Sequence, residues 1–171
     1  PEVERMTAGE YVEKYPPSEA IQIPESSWGQ GGHFYVWQNH LTEWMWPIIH
    51  SCEKRIIDIV SRYEKQPKDN PLMMRALNQL AKENLLLQSS DWPFLITTWQ
   101  AKDYATDRFR EHVERFETIA DMIDANLIDE AKLQAIEAID NCFDNIDYRV
   151  YLPIEEGVIP QQEAKLAPLY N

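Results

Sequence analysis

Several things are scarce in this chain of 171 residues, and each scarcity narrows what it can be. Basic residues are outnumbered, 16 Lys and Arg against 29 Asp and Glu, giving a net charge of −13 and a pI near 4.7. Nucleic acid requires a basic surface, and an anionic membrane repels an acidic one, so neither is expected as a partner. No apolar run approaches the roughly 18 residues that cross a bilayer. A basic segment leading into an apolar one, the mark of a secretory signal, is missing from the N-terminus. The chain starts at Pro1, directly in charged sequence, and reads as a piece of something longer, cytoplasmic in location. The two cysteines, Cys52 and Cys142, lie far apart in helical patterns and read as free buried thiols rather than a disulfide.

Glycine is scarcer still, with five in all, and three of them stand together at Gly29, Gly31 and Gly32. Glycine permits positive φ and close backbone approach, so Ser26–Trp37 is a shaped loop. It carries Trp28 and Trp37, flat apolar faces with one N–H donor each. Such faces suit the C–H-rich side of a sugar ring, and a neutral polysaccharide meets no electrostatic objection from an acidic protein. Ordinary core packing of both indoles is the competing reading, and the residues alone leave it open.

The rest of the chain is patterned for helices. Residues 1–40 read as an irregular segment with one short helix, Thr7 to Tyr15, stopped by Pro16-Pro17. Over 41–146 a helical bundle is expected. Ile48, Cys52, Ile56, Ile59 and Tyr63 form one apolar stripe. Leu72, Ala76, Leu77, Leu80 and Leu85 to Leu87 make the next helix apolar on more than one face and central. Phe94 to Trp99 predicts a short return, and Ala105, Phe109, His112, Phe116, Ile119 and Ile123 form a 4-3-4-3-4 seam. Leu133, Ile136 and Phe143 place a shorter helix after the turn at Asn126. Residues 147–171 form an irregular tail. The fold class is all-α: an antiparallel bundle of about four main helices with an irregular N-terminal segment and loop.

A complete active site is hard to find. Glu53, Glu111 and Glu114 read as helix-surface charges, while Glu25 and Asp91 lie in irregular stretches rich in Ser and Trp. Asp91 is either a polar site residue or the N-cap of a short helix. His33, His40, His50 and His112 form no metal motif, and His112, on the apolar seam, reads as a hydrogen-bonded core residue. No cofactor, metal or catalytic residue is assigned, so the chain reads as a binding or shaping module.

Pro24-Glu25-Ser26-Ser27-Trp28-Gly29, Gly31-Gly32, Val36-Trp37 and Trp44-Met45-Trp46-Pro47 carry a further signal. With Arg75-Ala76-Leu77-Asn78-Gln79, Gln88-Ser89-Ser90-Asp91-Trp92-Pro93-Phe94, Asp103-Tyr104-Ala105 and Arg108-Phe109, they resemble the C-terminal part of glycoside hydrolase family 57 branching enzymes. The resemblance spans about residues 20–120. It implies an upstream catalytic barrel in the same polypeptide, supplying a glutamate nucleophile and an aspartate acid/base, and an α-1,4-glucan substrate rejoined through α-1,6 links in glycogen-type biosynthesis. It implies substrate-shaping roles for Trp28 and Trp37, and more weakly a cleft role for Asp91. Trp44, Trp46, Trp92 and Trp99 are expected to pack. Since the barrel and both carboxylates are missing here, this piece alone is expected to be inactive. A 4-α-glucanotransferase or amylase parent, or a helical protein-interaction module, is the alternative.

Overall fold

The computed structural model describes residues 3–65 and 69–153. The chain divides into two compact units, 1–34 and 35–171.

In the first unit, α1 (Ala8–Lys14) begins where Thr7 can cap it. The Thr7 hydroxyl accepts from the Glu10 amide at 3.3 Å, and the Glu10 carboxylate accepts from the Thr7 amide at 2.7 Å. This reciprocal capping box holds the Glu10 carboxyl below its ordinary range, chiefly through the Thr7 backbone N–H. The helix ends at Tyr15, just ahead of Pro16-Pro17. It buries no residue, so the cap and a Glu4–Lys14 ion pair at 2.6 Å must do what a core otherwise would.

The second unit is a helical bundle. The helix α2 (Met45–Arg62) buries Met45, Ile49, Cys52, Ile56 and Ile59 at alternating four- and three-residue steps. Ile48, expected on that stripe, is only half-buried, and Ile49 takes its place. Next comes α3 (Pro71–Leu87), started by the Asn70 side chain, which accepts from the Met73 amide at 3.0 Å. Proline at its first position loses no helical hydrogen bond. Nine of its residues are buried, which is possible only for a helix wrapped by neighbours. Those neighbours are α2, α5 (Lys102–Asp124) and α6 (Glu130–Ile139). The short helix α4 (Asp91–Thr98) packs on α5.

The seam expected on α5 is buried at all six positions. Cross-helix pairs give the direction of packing. Trp44 meets Phe109 edge-on at 5.4 Å, Cys52 lies 3.9 Å from Glu117, and Arg62 pairs with Asp124. Both sets of numbers rise together, so α2 and α5 run the same way, as an up-down-up arrangement through α3 requires. Each fully buried Leu, Ile or Phe contributes roughly 1.5–3 kcal/mol, and the core holds Ile56, Leu77, Leu80, Phe109 and Phe116 at 0 % exposure. Arg75 clamps α3 to α6 through Glu130 and Glu137, each at 2.7 Å.

Two expectations fail just past α6. Phe143 is not on the helix, which ends at Ile139. It has a left-handed φ of 55° and is about half exposed. Cys142, expected to be buried, is exposed, whereas Cys52 is buried. The sequence pattern is satisfied by Leu133 and Ile136 alone, after which the backbone turns away. Beyond it, Tyr148 in a short 3-10 turn (Tyr148–Tyr151) enters the core. Its hydroxyl donates to the Tyr63 carbonyl at 2.7 Å, and its amide to Asn78 Oδ1 at 3.1 Å. The remainder of the expected tail, 154–171, lies outside the described residues.

Candidate substrate-binding site

In the first unit, the glycine loop closes on itself. The Ser27 amide donates to the Gly32 carbonyl at 3.0 Å and the Gly32 amide to the Gly29 carbonyl at 2.9 Å. Ser27 Oγ donates to the His33 carbonyl at 2.6 Å while accepting from the Gly29 amide at 3.0 Å. Such a circuit needs Gly31 and Gly32 at φ of 68° and 74°, where an L side chain is strained. A Cβ at Gly31 would also stand 3.3 Å from His33 Cδ2. The loop therefore has a defined shape, and it presents Trp28 at 76 % exposure. Among the described residues that indole is not buried in a core.

In the second unit, Trp37 is half-buried, next to the buried Val36. Its carbonyl accepts from Thr42 Oγ1 at 2.9 Å, and Thr42 is fully buried. Asn39, also buried, donates from Nδ2 to the Tyr35 carbonyl at 2.6 Å and to Thr97 Oγ1 at 2.8 Å. Thr97 lies on α4. Asp91 opens the same helix and is exposed. The N-cap position belongs to Ser90, which makes no side-chain cap bond, so Asp91 is not the cap that its sequence context allowed. As the first helical residue it puts negative charge at the positive end of the helix dipole.

Trp92 packs, as expected. Its Nε1 donates to the Leu86 carbonyl at 2.8 Å, and its ring stacks on His112 at 6.0 Å. Trp44 also packs, its Nε1 donating to the Leu41 carbonyl at 2.9 Å, and Trp46 packs against the core, half-buried. Trp99 does not. It is 66 % exposed with a left-handed φ of 59°, and Lys102 Nζ sits 4.3 Å from its ring centroid. Position 99 is the cap where α4 must stop, and chain reversal there overrides the preference of a bulky residue for burial.

Below Trp92 lies a cluster that sequence spacing did not reveal. His112 Nδ1 is 2.9 Å from Glu83 Oε2 and 3.6 Å from Asp140 Oδ2, with His112 and Glu83 at 1 % and 0 % side-chain exposure. Arg115 reaches Asp140 at 2.8 Å and Arg108 reaches Glu111 at 2.7 Å. Gln79 Nε2 donates to Glu83 at 2.9 Å. Burial pushes the Glu83 carboxyl above its ordinary range, against the lowering effect of His112 and Gln79. The imidazole and the two carboxylates are close enough to share a cation, with ligand atoms within 4.8 Å of one another. Arg108 decides otherwise. Its NH2 lies 3.1 Å from His112 Nε2, and a guanidinium can only donate. Nε2 is therefore the acceptor, the ring proton sits on Nδ1, and that N–H donates to Glu83. With Nδ1 protonated the lone pair a metal would need is gone. The cluster is a hydrogen-bonded ion network, and His112 is the core residue expected from its place on the seam.

The family described as 1,4-alpha-glucan branching enzyme, C-terminal, matches residues 48–151. The chain belongs to that family. Among its relatives is the 1,4-alpha-glucan branching enzyme TK1436 of Thermococcus kodakarensis, 38 % identical over 146 residues, covering 82 % of this chain and 21 % of the relative. The crystal structure of a GH57-type branching enzyme from Pyrococcus horikoshii superposes with a TM-score of 0.78 at 34 % identity, over 90 % of this chain and 29 % of that one. The α-amylase AmyC of Thermotoga maritima superposes with a TM-score of 0.68 at 32 % identity, over 86 % of this chain and 26 % of that one. The chain thus spans about a fifth of the curated relatives it matches, the length of one C-terminal domain of a family 57 branching enzyme. No helix among the described residues is long and apolar enough to cross a membrane.

Proposed function

We propose that this domain shapes the glucan cleft of a 1,4-α-glucan branching enzyme, with Trp28, Trp37 and Asp91 in contact with the chain being cut or the chain receiving the branch. The observation that carries this reading is the exposed Trp28 on a self-closed glycine loop, in a chain whose family is that of branching-enzyme C-terminal domains. A transferase must favour a sugar hydroxyl over water as acceptor, so it needs apolar walls that exclude water and hold the acceptor in line. Rigid indoles supply such walls at small entropic cost. Asp91 is a carboxylate suited to accepting from sugar hydroxyls. The bond-making carboxylates belong to a catalytic barrel of the same polypeptide, and this piece alone catalyses nothing. Glycogen-type biosynthesis in the cytoplasm is the setting that fits.

The full-length protein tests this with Trp28→Ala. The expected result is an at least tenfold loss of α-1,6 linkages formed on amylose, with the melting temperature within a few degrees of the parent. An unchanged branching rate with a lowered melting temperature would assign Trp28 to packing. The likeness to AmyC supports a second reading, a parent that only cleaves or transfers α-1,4 links. Product analysis that finds no α-1,6 linkage would favour that reading.

A further inference from the structure

The segment that carries Trp37 is fixed in an unusually expensive way. Asn39 is 8 % exposed and Thr42 is 0 % exposed, and burying an amide and a hydroxyl costs free energy unless every polar atom is paired. Here they are paired. Asn39 uses both amide hydrogens, to the Tyr35 carbonyl at 2.6 Å and Thr97 Oγ1 at 2.8 Å, while its Oδ1 accepts from the Leu41 amide at 2.8 Å. Thr42 Oγ1 accepts from the Asn39 amide at 3.1 Å and donates to the Trp37 carbonyl at 2.9 Å. The carbonyls of Tyr35 and Trp37 are thus held from below by side chains of the turn that follows.

An apolar pair could fill the same space, and fully satisfied buried networks contribute a unique geometry more than net stability. The direction of the Thr97 bond shows which geometry is at stake. Thr97 stands six positions beyond Asp91, about 9 Å of helix at 1.5 Å per residue. One end of α4 therefore bears Asp91 and the other anchors the Trp37 segment. Trp92, at the Asp91 end, is stacked on His112 and bonded to Leu86, which ties that end of the strut to the bundle.

We propose that Asn39 and Thr97 are positioning residues that fix Trp37 on the same rigid frame as Asp91, holding the indole at the angle the acceptor glucan needs. The proposal rests on the reading of Trp37 as a substrate contact. Neither residue touches substrate; both act through the loop.

The test uses the full-length protein. Thr97→Val keeps the shape and removes the acceptor for Asn39, and Thr97→Ser keeps the acceptor. The ratio of branching to hydrolysis on amylose is expected to fall at least threefold in Thr97→Val and to stay within twofold of the parent in Thr97→Ser. Where Trp37→Ala itself lowers the ratio, a lowered melting temperature with an unchanged ratio in Thr97→Val would mark a merely structural bond and overturn the proposal. In the double variant with Trp37→Ala, the ratio should match that of Trp37→Ala alone; multiplied losses would mean that Thr97 does not act through Trp37. The 19F resonance of Trp37 in 5-fluorotryptophan-labelled protein, assigned with Trp37→Phe, reads position without any substrate. It should shift and broaden in Thr97→Val only, and an unmoved signal overturns the proposal. A moved signal beside a Trp37→Ala protein of parental ratio upholds the positioning and rejects instead the role of Trp37 in binding glucan.

Discussion

Removing Glu83 should be among the most damaging single changes in the bundle. Its carboxylate is at 0 % exposure and is the 2.9 Å acceptor for both His112 Nδ1 and Gln79 Nε2. In Glu83→Ala the Nδ1–H is left with Asp140 at 3.6 Å, too far for a hydrogen bond. Gln79 keeps only the Asp140 carbonyl at 3.2 Å, and a cavity opens between α3 and α5. One buried donor left unsatisfied and a second with one acceptor fewer cost about 1–3 kcal/mol, and the cavity brings the expected total to about 3–5 kcal/mol. Glu83→Gln keeps the volume and one acceptor oxygen but turns an NH2 towards the donor that the other oxygen served, so its expected cost is about 1–2 kcal/mol. The assay is urea unfolding of the chain at pH 7, followed by tryptophan fluorescence. The pH dependence has a definite sign. Because burial raises the Glu83 carboxyl above 4.5, the folded state binds a proton more readily than the unfolded one, and stability from this group falls as pH rises through that window. The gap between parent and Glu83→Gln should therefore be widest below pH 4.5 and narrow towards neutrality. A cost below about 1 kcal/mol for Glu83→Ala, or equal costs for Ala and Gln, would refute this account of the network.

Three further outcomes are expected. Burial lifts the Cys52 thiol to about 11 while Cys142 is exposed, so a thiol reagent at pH 8 should modify Cys142 at once and Cys52 only on unfolding; two fast thiols would contradict the packing of α2. Hydrogen bonds from Arg55 and Arg62 hold the Asp124 carboxyl below its ordinary 3.8, so its stabilisation is complete above that value and lost as pH falls through the depressed one. Asp124→Asn should be less stable than the parent at pH 7 and show a shallower loss of melting temperature between pH 4 and pH 2. At Trp99, φ of 59° costs a side chain about 1–2 kcal/mol, partly offset by about 0.5–1 kcal/mol from the exposed cation–π contact with Lys102. Trp99→Gly should therefore match or exceed the parent in melting temperature and Trp99→Val should fall below it; Gly less stable than Val would show that the turn is not strained.

The helices were legible wherever burial is periodic. On α5, six residues at four- and three-residue steps are all buried, because a long helix against one core has only one way to turn its apolar side inward. The same logic misplaced Phe143 and Cys142, where apolar residues continue beyond the last turn of α6 but the backbone does not. Trp99 misled for a related reason: its hydrophobicity says buried, while the stop of α4 puts its backbone in a left-handed turn. Glu83 passed as one more acidic residue of the many here, since nothing in its neighbours in sequence separates a buried carboxylate from a solvated one.

The glycine loop belongs on the legible side too. Glycines clustered at Gly29, Gly31 and Gly32 in an otherwise glycine-poor chain announce positive φ, and two of the three have it. Local patterns, whether periodic burial or glycine at left-handed turns, are written in consecutive residues because a few neighbouring dihedrals decide them. The Glu83–His112–Asp140 network and the bond from Asn39 to Thr97 join positions 28 to 58 residues apart. Those pairings exist only after α3, α4 and α5 have packed, because a polar group finds its partner across helices only when burial has left it no water.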